Sequence, residues 1–160
     1  MHNGFVEHLR VFYESTKQEL FVYALALTGQ FTAAEDAVHS AFSGVLRRGK
    51  TPTQLRPYMF RCVRNAAMDE RRLVERETRE ASVFGQVSSD SAGNLEQLKL
   101  DLEDALSTLS DDERECIILK IYSGLTFREI AQVRNVPQGT AAAWYSRGLA
   151  KVRSQLEGYR

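Results

Sequence analysis

Residues 125–153 read LTFREIAQVRNVPQGTAAAWYSRGLAKVR, and the fold turns on how that run is parsed. Thr126 with Glu129 three residues later is a capping-box pattern, so a short helix should open there. Phe127, Ile130, Ala131 and Val133 give that helix one apolar side. Arg134 and Asn135 then break the pattern, and asparagine takes the left-handed conformation of a tight turn more readily than most residues other than glycine. Val136 is expected to point back into the core. Pro137 suits the first turn of a second helix, where its missing N–H does no harm. That helix should run from about residue 138 to 156, with Ala141, Leu149, Val152 and Leu156 as core candidates. Two short helices, a turn of about three residues and a polar outer face are the parts of a helix-turn-helix. The plainer alternative is an antiparallel helix pair packed in some other core.

Charge favours the DNA-binding parse. Residues 126–160 carry six basic side chains, Arg128, Arg134, Arg147, Lys151, Arg153 and Arg160, against Glu129 and Glu157, a net of +4. A recognition helix reads base edges with its N-terminal residues and leans on phosphates with basic ones. Pro137, Gln138, Gly139, Thr140, Ala142, Ala143 and Trp144 would therefore face the groove. Arg147 and Lys151 lie further along for the DNA backbone, with Arg128 on the preceding helix.

The remaining chain reads as helices too. Phe5, Leu9, Phe12, Tyr13, Leu20, Phe21, Tyr23, Ala24 and Leu27 recur at helical spacing, as one helix or two joined near Ser15 and Thr16, with Gly29 as the stop. Thr32 and Glu35 suggest a second capping box, opening a helix through Arg47 with Ala34, Ala37, Val38, Ala41, Phe42 and Val45 inward and Glu35, Asp36, His39 and Ser43 outward. A further helix should begin between Gln54 and Pro57 and run through Tyr58, Met59, Cys62, Val63, Ala66, Ala67 and Met68 into a charged end at 69–80. Residues 81–94, ASVFGQVSSDSAGN, lose the periodicity and read as a linker. An amphipathic helix is expected over 95–109. Ser110 and Glu113 form another capping box before a helix whose Ile117, Ile118, Ile121 and Tyr122 are core candidates and whose stop is Gly124. No segment alternates like a strand. The expected fold is all-α: one helical domain over 1–80, a linker over 81–94, and a second domain over 95–160 containing the helix-turn-helix.

The 160 residues balance 21 basic against 21 acidic side chains, but the sum conceals a strong asymmetry. Residues 44–79 hold ten basic and four acidic side chains, a net of +6, whereas 81–115 hold nine acidic and two basic, a net of −7. Two basic lobes thus flank an acidic middle. Cys62 and Cys116 each sit in an apolar helical pattern without a CxxC partner, which favours free thiols in a reducing compartment over a disulfide. The N-terminal MHNGFVEHLR lacks a signal-peptide pattern, and no apolar run approaches the ~18 residues of a membrane span. A soluble, cytoplasmic protein without membrane insertion is expected. His2, His8 and His39 have no metal-ligand spacing with one another or with the cysteines, and no glycine-rich phosphate cradle is present. Glu35 and Asp36 are neighbours on a helix and point about 100° apart, so they do not make a catalytic carboxylate pair. Neither cofactor, metal nor enzymatic activity is expected.

Taken together, these segments resemble bacterial RNA polymerase sigma factors of the extracytoplasmic-function (group IV) type. YALALTGQFTAAEDAVHSAF is similar to the family's stretch ending in an acidic-Asp-x-Val motif, and PYMFRCVRNAAMDERRL to its promoter-melting segment. ALSTLSDDERECIILKIYSGLTFREIAQVRNVPQGT is similar to its flap-binding and helix-turn-helix domain. The likeness runs from about Tyr13 to Leu156 in the family's order. It implies that the helix with Glu35, Asp36, Val38, His39 and Phe42 docks on the β′ clamp helices of core RNA polymerase. Tyr58, Arg61, Arg64, Asn65, Asp69 and Arg72, with the turn at 49–53, would engage the −10 element, and the helix from Gln138 would read the −35 element of promoter DNA. The second domain would meet the β flap, and an anti-sigma factor is a partner such proteins often have. The basic stretch suits the melting role, since opened strands need cationic tracks and stacking surfaces such as Tyr58 and Phe60.

Several positions depart from the family pattern. His39-Ser40 stands where Gln-Glu is usual, Tyr58 replaces a tryptophan and follows an unusual Pro57, and Thr140-Ala141-Ala142-Ala143-Trp144 replaces Thr-Val-Lys-Ser-Arg. Losing that lysine and arginine should flatten the salt dependence of DNA binding. Trp144 and Tyr145 could instead pack on the first lobe or on a partner. The altered helix favours a rival reading, a sigma-like protein that binds a regulator or polymerase without recognising promoters; the basic −10 segment argues against it.

Overall fold

A computed structural model describes residues 2–81, 104 and 106–158, and every regular element among them is helical. In order these are α1 (His2–Thr28), α2 (Phe31–Arg48), α3 (Leu55–Ala81), α4 (Asp111–Ile117) continuing as a π-helical segment (Ile118–Tyr122), α5 (Phe127–Arg134) and α6 (Gln138–Glu157). The expected linker and the helix expected over 95–109 lie outside the described residues, apart from Ala81, the helical residues Asp104, Leu106 and Ser107, and the turn at 108–109.

The first lobe is α1, α2 and α3. α1 does not break at Ser15 and Thr16, because both hydroxyls bond the Phe12 carbonyl, at 3.0 and 2.6 Å, and are absorbed by the helix itself. The capping box expected at Thr32 and Glu35 is absent. α2 starts two residues earlier, at Phe31, with Gln30 rather than Thr32 as the N-cap and no side-chain bond there. Phe31 meets Phe21 across the α1–α2 turn, ring centroids 5.6 Å apart, and this contact draws Thr32 into the first helical turn. Gly29 and Gly49 end α1 and α2 at φ of 73° and 72°, a backbone that a Cβ would strain. Pro57 sits in the first turn of α3, where N–H groups lack helical partners anyway. The inward face of α2 is mostly alanine, which lets α1 and α3 come close; Leu20, Tyr23, Met59, Phe60 and Val63 fill the centre and are fully buried.

The second lobe is α4 to α6. Its two expected capping boxes are both present: Glu113 N–H donates to Ser110 Oγ at 3.2 Å and Glu129 N–H to Thr126 Oγ1 at 3.1 Å, with each glutamate returning the bond. The expected core residues after α4 need correction. Ile121 and Tyr122 are 61% and 45% exposed, Ile117 and Ile118 are half-buried, and Cys116 and Leu119 hold the core positions. The cause is the π-helical turn, in which Ser123 N–H reaches back to the Ile118 carbonyl at 3.1 Å and rotates the face. In α6, Ala141 and Gly148 are buried, Leu149 and Val152 are half-buried, and Leu156 is exposed. A single cluster of buried apolar side chains runs through both lobes, and α5 lies against α3.

Candidate nucleic-acid and polymerase interfaces

The helix-turn-helix is built locally as its sequence dictates. Asn135 takes the left-handed conformation (φ 55°, ψ 51°), and the Val136 N–H closes the turn on the Ala131 carbonyl at 3.0 Å. Pro137 stands one position before the helix, as its N-cap, and its carbonyl accepts from Thr140 and Ala141 N–H groups. Ala141 is fully buried where α5 and α6 touch, so a larger residue there would push the helices apart. Pro137, Gln138, Gly139 and Ala143 are exposed at the start of α6, with Thr140, Ala142 and Trp144 half-exposed beside them; Arg128, Arg147 and Lys151 are exposed too.

Trp144 and Tyr145 each make their ring contact within the second lobe. Arg134 lies over the Trp144 ring at 4.9 Å, and Tyr145 meets Phe127 edge-on at 5.4 Å. The tryptophan therefore belongs to the second lobe's own structure. Lys151 Nζ donates to Glu113 Oε1 at 2.7 Å, and Arg147 lies 3.8 Å from the same carboxylate. The Lys151 bond, followed by the Ser110 N–H, holds the Glu113 carboxyl below the usual range. Missed by sequence reasoning, Gly148 is where α6 crosses α4: a Cβ there would lie 2.8 Å from Ile117 Cδ1 and 3.2 Å from Glu113 Cβ. A mid-helix glycine was the available signal.

On α3, Arg61, Asn65, Asp69 and Arg72 are exposed, and spacings of four, four and three place them on one face. Tyr58 is half-buried beside them, hydrogen-bonded through its hydroxyl by Arg48, whose guanidinium also lies 5.6 Å from the ring. Pro52, Thr53, Gln54, Pro57, Tyr58 and Arg61 line an open pocket of about 390 Å³, whose remaining wall is Gln132 from α5. Two residues expected here are placed otherwise. Phe60 is fully buried against Tyr23 and offers no stacking surface. Arg64 turns away from Asn65 toward the second lobe, where its Nε donates to Glu115 Oε1 at 2.8 Å.

On α2, Glu35, Asp36 and His39 are exposed as expected, but Val38 and Phe42 are core residues. Phe42 packs edge-on against Tyr13 at 4.9 Å and cannot also present itself to a partner; the helical pattern placed it inward, and the inward role prevails. Val38 floors a groove of about 480 Å³ whose walls are Tyr13, Lys17, Gln18, Phe21, Phe31, Glu35 and His39. Phe31 is 54% exposed at its edge. The signal for it was a phenylalanine directly after a polar helix stop.

Sequence reasoning also missed the meeting of the lobes. Glu115, nearly fully buried, accepts from the Tyr23 hydroxyl at 2.7 Å and from Arg64, and lies 3.2 Å from Arg134 Nη1. Burial first, and then this carboxylate, push the Tyr23 hydroxyl well above its ordinary value, so it stays a donor. Burial works against the Arg64 charge, yet the Glu115 bond and charge outweigh it and the guanidinium is held protonated. Arg71 stands 3.8 Å from Asp111, and Arg56 donates to the Ser123 carbonyl.

Both cysteines are free thiols. Among the described residues no group of three or more His, Cys, Asp or Glu is placed to hold a metal ion, and no helix is long and apolar enough to cross a membrane.

The chain matches two family models, Sigma-70 region 2 over residues 12–77 and Sigma-70 region 4 over residues 99–152. It is 29% identical to the ECF RNA polymerase sigma factor SigL of Mycobacterium tuberculosis over 163 aligned positions, covering 93% of this chain and 89% of SigL. It is 30% identical to the RNA polymerase sigma factor CarQ of Myxococcus xanthus, covering 77% of this chain and 74% of CarQ. Its fold is like that of the sigma factor RpoE of Bartonella quintana, solved in complex with the anti-sigma factor NepR, with a TM-score of 0.69, 24% identity, and coverage of 94% of this chain and 99% of that one. Two sigma-70 regions in order on one chain, and relatives of this kind matched along most of their length, lead to one statement: the chain belongs to the sigma-70 family of RNA polymerase sigma factors, in its extracytoplasmic-function branch.

Proposed function

We propose that three surfaces divide the work of this sigma factor in bringing core RNA polymerase to promoters and opening the duplex. The groove on α1 and α2, with Phe31, Glu35 and His39 at its rim and Val38 at its floor, is, together with the exposed Asp36 on the same helix, the docking site for the β′ clamp helices. Its apolar floor and charged rim are the anatomy of a protein interface. The α3 face of Arg61, Asn65, Asp69 and Arg72, with the pocket beside Tyr58, holds the opened −10 strand. The exposed start of α6 reads the −35 element, with Arg128, Arg147 and Lys151 on phosphates. The domain limits are 1–80 and 95–160 around a linker. The protein performs no chemistry of its own and works in the cytoplasm, where polymerase and DNA are. The β flap is a contact of the second domain. Since the RpoE of similar fold was solved with NepR, an anti-sigma partner is proposed on that likeness.

The observation that carries the reading is the α3 face: a basic and amide row beside an open pocket is what an unstacked strand requires. Run-off transcription from a genomic fragment library, with core polymerase and with or without the protein, tests it. Discrete new start sites sharing an upstream element are expected. Polymerase binding without any new start site would remove the promoter role from these surfaces.

A further inference from the structure

Lys151 and Arg147, the residues of α6 placed on DNA phosphates, both face one buried carboxylate from another helix. Glu113, in the first turn of α4, has a side chain only 5% exposed, whereas those of Lys151 and Arg147 are 45% and 61% exposed. Its Oε1 accepts from Lys151 Nζ at 2.7 Å and from the Ser110 N–H at 2.9 Å, and its Oε2 lies 3.8 Å from Arg147 Nε. Lys151 follows Arg147 by one helical turn, so the two cations share a face of α6. Gly148 stands between them in the sequence and lets Glu113 approach the helix, since a Cβ there would lie 3.2 Å from Glu113 Cβ. We infer that Glu113 is a positioning residue for −35 recognition: from α4 it tethers the two phosphate-binding cations of α6 in one register, and so favours the correct element over other DNA. The inference rests on the −35 reading of α6.

The register matters because α6 carries no basic residue from Gln138 to Ser146, so Arg147 and Lys151 are the first cations along it. Their phosphate contacts would set where uncharged residues such as Gln138 and Thr140 meet the base edges. A lysine on its flexible four-carbon stem can reach phosphates in many registers, and ordering it on binding opposes association. The bond to Glu113 does that ordering during folding instead. An ammonium has three donors, so one bond to Glu113 leaves two for phosphate oxygens.

Charge acts in the same direction. Seen from about 10 Å, the Debye length at 0.1 M salt, the Lys151–Glu113 pair is nearly neutral. It therefore adds little to the general attraction between cations and any duplex, while at contact distance the exposed donors of Lys151 still act. Glu113 thus weakens binding to wrong sequences more than to the right one, and specificity is that difference. The same carboxylate closes the capping box of α4, but that role needs no charge, because glutamine also serves there.

The test compares wild-type and Glu113→Gln full chains, each assembled with core polymerase. Wild-type holoenzyme first selects from a duplex pool of random sequence. The selected duplex, and the same duplex with its upstream element scrambled, are then the probes in binding titrations at several salt concentrations. Glu113→Gln is expected to lower the ratio of selected to scrambled affinity by about fivefold or more, the low end of what one mismatched base pair costs. On the scrambled duplex its salt slope should steepen by about one unit, because one more cation is free to displace counterions. Ser110→Ala removes the cap hydroxyl and leaves the carboxylate, so it should lower the denaturation midpoint yet keep the affinity ratio within about twofold. An unchanged ratio in Glu113→Gln overturns the tether. Equal loss of ratio in Ser110→Ala also overturns it, since Glu113 would then serve only the shape of α4. The −35 reading is separated by Gln138→Ala with Thr140→Ala: if that pair abolishes the preference while Glu113→Gln keeps it, α6 reads the element and only the tether is wrong. If wild-type holoenzyme enriches no upstream element, the −35 reading falls and the tether with it.

Discussion

On α2, Glu35, Asp36 and His39 face solvent with Phe31 beside them, whereas on α3, one helix away, Arg64 is half-buried against Glu115 and Arg56 reaches the Ser123 carbonyl. The two faces belong to one three-helix lobe and share one core, yet only α3 also carries the second lobe, on the side away from its exposed Arg61, Asn65, Asp69 and Arg72. The difference follows from charge. α3 begins and continues with basic residues and attracts the acidic turn of α4, while the outer face of α2 mixes signs and offers a shallow groove.

The comparison is broken most severely by emptying the open face. Phe31→Ala with Asp36→Arg is expected to weaken core polymerase binding by about 30-fold or more, the scale of a hot-spot loss, in a titration of labelled polymerase. Both residues are exposed, so the circular-dichroism melt should hardly move; a lower melting temperature would reassign the loss to folding. Next, Arg61→Ala with Asn65→Ala should lower promoter opening about tenfold, a loss of ~1–3 kcal/mol on the scale of one strand contact, and leave polymerase affinity within twofold. Permanganate reactivity of unpaired thymines measures the opening; equal loss of both activities would abolish the distinction between the faces.

A smaller effect probes the second lobe alone. Gly148→Leu drives a side chain into the α4–α6 crossing and is expected to destabilise by about 1–3 kcal/mol, read as a lower denaturation midpoint. The smallest compares one thiol from each lobe. Burial pushes the Cys116 thiol up to about 11 and raises Cys62 as well. Cys116 is fully buried and Cys62 half-buried, so maleimide at neutral pH should label Cys62 first and Cys116 only on unfolding. Since the folded state holds the Cys116 proton more tightly than the unfolded chain, its contribution to stability is whole below the unfolded value of 9.0 and is lost as pH rises toward about 11. Labelling of Cys116 at the same rate as Cys62 would mean that the shared core opens readily.

Local chemistry was legible where it was sufficient. Ser110 and Thr126 cap their helices because a hydroxyl and a glutamate three residues apart satisfy orphan N–H groups without outside help. Thr32 with Glu35 has the same spacing and does not cap, because a contact between Phe21 and Phe31 moves the helix start. The outward residues of α2 followed from period alone, but Phe42 could not be both core and interface. Ile121 and Tyr122 were misplaced because a π-turn breaks the 3.6-residue period on which their assignment rested.

By itself, the sequence determined the all-helical character, the helix-turn-helix with Asn135 at its corner, the exposed row on α3 and the family to which these segments point. All of these depend on neighbours within a few residues or on one helix face. Only the tertiary structure decided that Arg64 answers Glu115 rather than solvent, that Trp144 packs on Arg134, that Gln132 closes a pocket of the other lobe, and that Gly148 is where two helices cross. The physical reason is range. Capping and amphipathic periodicity act over three to eight residues, whereas Arg64 and Glu115 are separated by 51 positions and meet only because the basic helix α3 and the acidic start of α4 pack on one another.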